Sequence, residues 1–130
     1  MRTDRAWLMQ WVRNSFGAQP EYLWAGMPNA AVFRHRENRK WFCLVMEVSA
    51  KKLGFSTDEM VDICNVKCDP LMLGSVLEKT GCFPAYHMNK QHWLTILLNG
   101  SVSEEDVQFL LEQSYDLTSK KSQKIVKNEK

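Results

Sequence analysis

The run Trp41-Phe-Cys-Leu-Val-Met-Glu-Val48 contains a single charged residue. It is nearly all apolar, so it reads as a central strand of a sheet. Alternation places Phe42, Leu44, Met46 and Val48 on one face, and Trp41, Cys43, Val45 and Glu47 on the other. The run Trp93-Leu-Thr-Ile-Leu-Leu98 reads as a second buried strand. Its entrance, Pro84 to His92, holds the densest set of hydrogen-bonding side chains in the sequence.

The remaining elements fall into place around these strands. Asp4 caps a first helix to about Phe16, with Trp7, Leu8, Trp11 and Val12 on its apolar face and Gly17 as its stop. The two tryptophans are expected to pack on a sheet. Tyr22-Leu23-Trp24 is expected as a short strand and Ala31 to His35 as another, with a hairpin tip at Glu37-Asn38-Arg39. Val61 to Val66 reads as a further strand. Asp69-Pro70 opens a second helix with Leu73, Val76 and Leu77 on its apolar stripe, and Gly81 is expected to end it. Ser103 caps a third helix to about residue 118. Glu104, Glu105 and Asp106 complement its dipole, and Val107, Leu110, Leu111, Ser114 and Tyr115 face inward. The order is helix, three or four strands, helix, one or two strands, helix, and short links between strands predict an α+β domain of two layers, a mainly antiparallel sheet with helices largely on one face.

The chain has 130 residues, 45% hydrophobic and 25% charged, which suits one soluble globular domain. Residues 1–118 are expected to form it, with 119–130 as a flexible tail. The net charge of +2 conceals a division. The tail carries five lysines against Glu129, leaving 12 of the 17 basic and 14 of the 15 acidic residues to the domain. A slightly acidic domain counts against strong non-specific nucleic-acid binding. No stretch reaches the roughly 20 apolar residues that span a bilayer, and the N-terminus has no signal-peptide pattern, so a cytoplasmic location is expected. Cys43, Cys64, Cys68 and Cys82 are then free thiols. The spacing of Cys64 and Cys68 does not fit a zinc loop, and nothing in the sequence calls for a metal or cofactor.

Lys40-Trp-Phe-Cys-Leu44, Lys67-Cys-Asp-Pro70, Pro84-Ala-Tyr-His-Met-Asn-Lys-Gln-His-Trp93, Leu97-Leu-Asn-Gly-Ser101 and Glu112-Gln-Ser-Tyr115 resemble the MmcQ/YjbR family of small bacterial proteins. The resemblance runs over roughly residues 3–118. It is most specific in His-x-Asn-Lys-x-His-Trp with Ser-Tyr downstream. It implies an α+β fold with a largely antiparallel sheet, similar to type III secretion chaperones and loosely to frataxin. It also implies the label of a DNA-binding protein with a double-wing motif, and it carries no catalytic residues over.

Three uses of the surface follow. As a DNA binder, the hairpin residues Arg34, Arg36, Arg39 and Lys40 form one wing, with His87, Asn89, Lys90 and His92 near the other. Trp41 and Trp93 then share a sheet face as a stacking platform. As a protein-interaction or chaperone-like module, the chain presents an exposed sheet face or a helix groove to a partner, and needs a contiguous apolar patch. The charge contrast between the acidic third helix and the segment Arg34–Lys52, with six basic and two acidic residues, suits such docking. As an enzyme, the remotest case, it uses His87 or His92 in a concave pocket with a polar partner. No nucleophile elbow or phosphate-binding glycine loop accompanies them, so a non-enzymatic role is expected.

Overall fold

The computed structural model describes residues 2–119. Asp4 caps α1 (Arg5–Phe16) by accepting the Trp7 amide at 2.9 Å, and Gly17 closes it in the left-handed conformation. β1 (Ala31–Arg34) and β2 (Trp41–Ser49) form a hairpin, and a 3-10 turn (Ala50–Leu53) leads on to β3 (Met60–Lys67). α2 (Pro70–Leu77) starts behind Asp69, and β4 (Cys82–Pro84), β5 (Trp93–Leu97) and α3 (Glu104–Thr118) follow. The strands make one antiparallel sheet in the order β1-β2-β3-β5-β4. β2 is thus interior, although β3 is the middle strand.

The helices cover one face. Leu8 and Val12 of α1, Val76 of α2 and Val107, Leu110 and Leu111 of α3 pack on Val45, Val66, Leu94 and Ile96. Each such side chain contributes roughly 1.5–3 kcal/mol by leaving water. Trp7 and Trp11 pack against this layer, half-buried and stacked at 6.3 Å. The opposite face carries Val32, Leu44, Met46, Val48, Ile63 and Leu97, partly covered by Trp24, Trp41, Tyr86 and Met88. This is the two-layer α+β architecture expected.

Three local expectations are corrected. Tyr22–Trp24 is not a strand. Only Glu21 pairs, in a single bridge with Val32, and Tyr22 and Leu23 are exposed. The four-residue β1 gives a neighbouring strand little edge to extend along. α2 stops at Leu77, because the Glu78 and Lys79 amides turn back to the Ser75 and Val76 carbonyls and tighten its last turn. Gly81 instead shapes the turn into β4. Its φ is 92°, and a Cβ there would meet Val102 Cγ2 at 2.7 Å. β4 is the second of the one or two strands expected between the second and third helices, and its Pro84 is tolerated because it lies at the sheet edge. Apart from Ser119, the lysine-rich tail lies outside the described residues.

The third correction concerns β2. Phe33 pairs with Cys43 but Arg34 pairs with Trp41, so Phe42 is the extra residue of a bulge. The bulge breaks the alternation. Phe42 joins Cys43 and Val45 on the helix side, among Phe16, Phe33, His35 and Tyr115. Trp41 joins Leu44, Met46 and Val48 on the open side. The β2–β3 ladder ends at Cys43 opposite Val66. Beyond it, the buried Ser114 hydroxyl of α3 accepts the Lys67 amide at 2.8 Å and donates to the Phe42 carbonyl at 2.6 Å. One hydroxyl thus bridges the two strands where their direct pairing stops.

Ser114→Ala leaves that carbonyl and amide without their partner. It should lower stability by about 1–3 kcal/mol in urea denaturation. An unchanged midpoint would show that the bridge carries no net stability.

Candidate functional site

The open face is built into a groove by two polar residues that the surrounding strands would otherwise fill with apolar ones. Asn65 of β3 and Thr95 of β5 are fully buried and face one another in register. The Asn65 side-chain amide donates to the Tyr86 carbonyl at 2.9 Å, and the Tyr86 amide donates to Thr95 Oγ1 at 2.9 Å. The Thr95 hydroxyl donates to Asn65 Oδ1 and closes the network. These bonds draw the segment after Pro84 across β5 to β3. His87 then adopts a left-handed φ of 58°, so the segment turns sharply as it crosses.

Between this strap and the loop before β1 lies a groove of about 570 Å3. Leu44, Met46 and Val48 form its β2 floor. Trp24 and Trp41, edge to face at 5.7 Å, stand on one side and Tyr86, His87 and Met88 on the other. Met60 and Met27 are about half exposed at its mouth, at 53% and 44%. Glu47 and Lys52 also line it, both exposed, and neither has a partner among the described residues. The groove can bury apolar groups in adaptable thioether and indole contacts and receive opposite charges at its rim.

The β1–β2 hairpin is braced against α3. The Thr118 hydroxyl gives its proton to the Ser114 carbonyl at 2.8 Å, so His35 Nε2–H is the donor in its 2.8 Å contact with Thr118 Oγ1. Asn38 donates to the Thr118 carbonyl at 2.8 Å and accepts the Lys40 amide. Arg34 is engaged within the chain, donating twice to Glu21 at 2.6 and 2.8 Å. Its guanidinium lowers the Glu21 pKa, and the carboxylate raises that of Arg34. Arg36 and Lys40 are exposed, and Arg39 lies 4.0 Å from Glu21 with a left-handed φ of 64°.

The second set of expected residues is largely occupied in shaping its own turn. Asn89 Oδ1 accepts the Gln91 amide, and its carbonyl accepts the His92 and Trp93 amides. Lys90 Nζ donates to the Ala85 carbonyl at 3.0 Å. His87 rests on Tyr86 at 3.9 Å, and its side chain makes no hydrogen bond among the described residues. His92 is exposed. Strand register puts both connections at the same end of the sheet, near opposite edges. Trp93 points to the open side, half-buried rather than core, with Lys67 Nζ 5.6 Å from its ring centroid. Trp41 and Trp93 therefore share a face, as expected.

The four cysteines are free and buried, and Cys43 Sγ lies 3.2 Å from Cys64 Sγ. Burial raises the Cys43 pKa, and it pushes Cys82 up to about 11. Both stay protonated and inert near neutrality. Sequence reasoning missed the groove residues Trp24, Met27, Met60 and Met88, and the Asn65–Thr95 pair. The one available signal was an uncharged polar residue within each of two strand-forming runs.

Comparison with known proteins matches this architecture. The YjbR family model matches residues 13–117, and the chain belongs to that family. It is 38% identical over 107 residues to uncharacterized protein YyaQ of Bacillus subtilis (strain 168), covering 82% of this chain and 91% of YyaQ. A crystal structure of a Pseudomonas syringae protein superposes with a TM-score of 0.87 at 39% identity, covering 89% of this chain and 99% of that one. A Deinococcus radiodurans protein shares the fold, with a TM-score of 0.60 at 24% identity over 80% of this chain and 70% of its own.

Two outcomes follow from these contacts. Asn65→Ala orphans the Tyr86 carbonyl and should cost about 1–3 kcal/mol, with a shift in Trp24 and Trp41 emission as the strap loosens. A destabilised variant with unchanged emission would separate the network from the groove. His35 is the second case. Burial, the leading cause, lowers its pKa below the ordinary 6.5, against a hydrogen bond to Tyr115 and the charges of Glu37 and Asp116. The unfolded chain therefore binds the proton first. The stabilisation is complete above about pH 6.5 and is lost as pH falls from there through the lower folded value. Urea midpoints should fall across that window in the wild type, and less steeply in His35→Gln. Equal slopes would remove His35 as the titrating group.

Proposed function

We propose that this YjbR-family chain is a binding module that takes an amphipathic, mainly apolar segment of a partner protein in the groove on the open sheet face. The observation that carries this reading is the groove itself, with indoles, thioethers and two unpaired rim charges of opposite sign. Glu47 and Lys52 match a segment whose apolar side chains are flanked by charges of both signs, and they set its direction. Transfer of apolar surface supplies affinity at about 25 cal/mol per Å2. Methionine adapts to unlike side chains, and Trp24 and Trp41 serve as anchors. Binding rather than catalysis is favoured because the His87 ring, which lines the groove, is held by no hydrogen bond to an acid or base among the described residues. Four free, buried thiols suit a reducing compartment such as the cytoplasm.

A second reading, DNA binding, has its own support. Arg36, Arg39, Lys40 and Lys67 gather at one end of the sheet with Trp41 and Trp93. On this reading they hold phosphates and the indoles stack on bases. Arg34, Asn89 and Lys90 contribute less, since their side chains are engaged within the chain.

One titration series separates the readings. A dansyl-labelled amphipathic peptide of leucine, lysine and glutamate should bind the full chain and perturb Trp24 and Trp41 emission. Met60→Glu combined with Met88→Glu should weaken it by about tenfold or more, some 1.4 kcal/mol, with the melting temperature retained. Equal affinity in the folded double variant would sink the groove reading. Labelled single- and double-stranded DNA across a salt series tests the other. Binding with a log–log slope of roughly −0.7 to −0.9 per phosphate contact, lost in Arg36→Ala with Arg39→Ala and Lys40→Ala, supports DNA. Absence of binding at low salt retires it.

A further inference from the structure

Beneath the β1–β2 hairpin, on the helix side of the sheet, the end of α1 and α3 enclose a second cleft of about 380 Å3. That is within the roughly 300–1,000 Å3 of small-ligand sites. Its character is opposite to that of the open-face groove. Arg34, Arg36 and Arg39 line it against a single carboxylate, Glu21, and Phe16 and Tyr115 line its aromatic side. We infer that this cleft is a binding site for a small phosphate-bearing ligand with a planar ring, in chemical class a mononucleotide.

The ion pairs decide which guanidiniums are free. Arg34 donates twice to Glu21 and so spends the carboxylate that would repel an anion. Arg36 is exposed and has no partner among the described residues. Arg39 keeps 61% of its side chain exposed, with Glu21 only at 4.0 Å. Two planar forks therefore remain for a phosphate, which they suit as bidentate donors. Glu37 and Asp116 lie close enough to act on His35, but neither lines the cleft.

The hairpin holds these arginines in a prearranged position. The left-handed backbone of Arg39 is unfavourable for a non-glycine residue, and such conformations collect at functional sites. Here it is maintained by the Arg39 amide on the His35 carbonyl at 3.1 Å, and by Asn38 tied to Thr118. The aromatic side is equally fixed. Phe16 and Tyr115 stack at 4.3 Å with an interplanar angle of 9°, and Phe42 meets both rings edge-on at 5.4 and 4.9 Å. A planar ring added beside that stack gains dispersion while its phosphate reaches Arg36 and Arg39.

The test is NMR titration of the full chain with adenosine monophosphate, adenosine, inorganic phosphate and a thymidine decanucleotide. Adenosine monophosphate should shift the signals of residues 16–19, 34–39 and 115 saturably, and bind at least about tenfold more tightly than adenosine or phosphate. Arg36→Ala with Arg39→Ala should lower its affinity about tenfold while the melting temperature stays the same. Tyr115→Leu, checked to be folded, should lower the affinity for the nucleotide and not for phosphate. No saturable shift at millimolar nucleotide overturns the inference. So does phosphate binding as tightly as the nucleotide, or decanucleotide binding at these residues without mononucleotide binding, which would assign the arginines to DNA. The groove reading stands or falls apart from this result, since none of these residues lines the groove.

Discussion

The hydroxyl of Ser114 sits where β2 and β3 stop pairing, and the arrangement of both faces follows from that junction. It satisfies a carbonyl and an amide that would otherwise be buried without partners. It also ties α3 to the sheet beside the bulge at Phe42. With the bulge held there, Phe42 packs among aromatic rings beneath the helices and Trp41 turns to the open side. One residue out of step thus supplies the aromatic wall of the groove and the aromatic backing of the cleft.

The two faces are stabilised by different means. Under the helices the contacts are almost wholly apolar and close-packed, which gives stability with little chemical character. On the open face a buried polar network anchors the strap, and fully satisfied networks of this kind specify one arrangement of a segment. The face can then leave part of its apolar floor uncovered, because the strap is positioned by hydrogen bonds and not by packing over β2. The hairpin follows similar logic. His35 and Asn38 reach the last turn of α3, so the arginines beside them ride on a fixed base.

Much of the fold was legible in the sequence because caps and apolar runs act locally. Asp4, Asp69 and Ser103 each cap the helix expected of them. The long strands and the placement of helices on one face followed from the run lengths and short links. Interactions between distant segments were not legible. Alternation along β2 alone places Phe42 with Leu44. The bulge arises from the pairing of two strands, and no period within one strand encodes it. Pairing Arg34 with Glu21 requires knowing that Glu21 bridges Val32 across the edge. For the same reason the charges near residues 34–40 were visible in the sequence, but not which of them are already engaged. The groove was hidden more deeply, since its methionines lie far apart in the chain and each is unremarkable alone.

The strand order β1-β2-β3-β5-β4 has a consequence for synthesis. β4 leaves the ribosome before β5, yet its place is at the edge beyond β5, and it has no strand to join until β5 arrives. β1, β2 and β3 can meet as soon as each appears, through links of local sequence. The strap lies between β4 and β5, and its anchors are Asn65 on the early sheet and Thr95 on the late strand. During synthesis the groove therefore cannot be completed before β5 has emerged. Until then its apolar floor is open to any chaperone that attends the nascent chain.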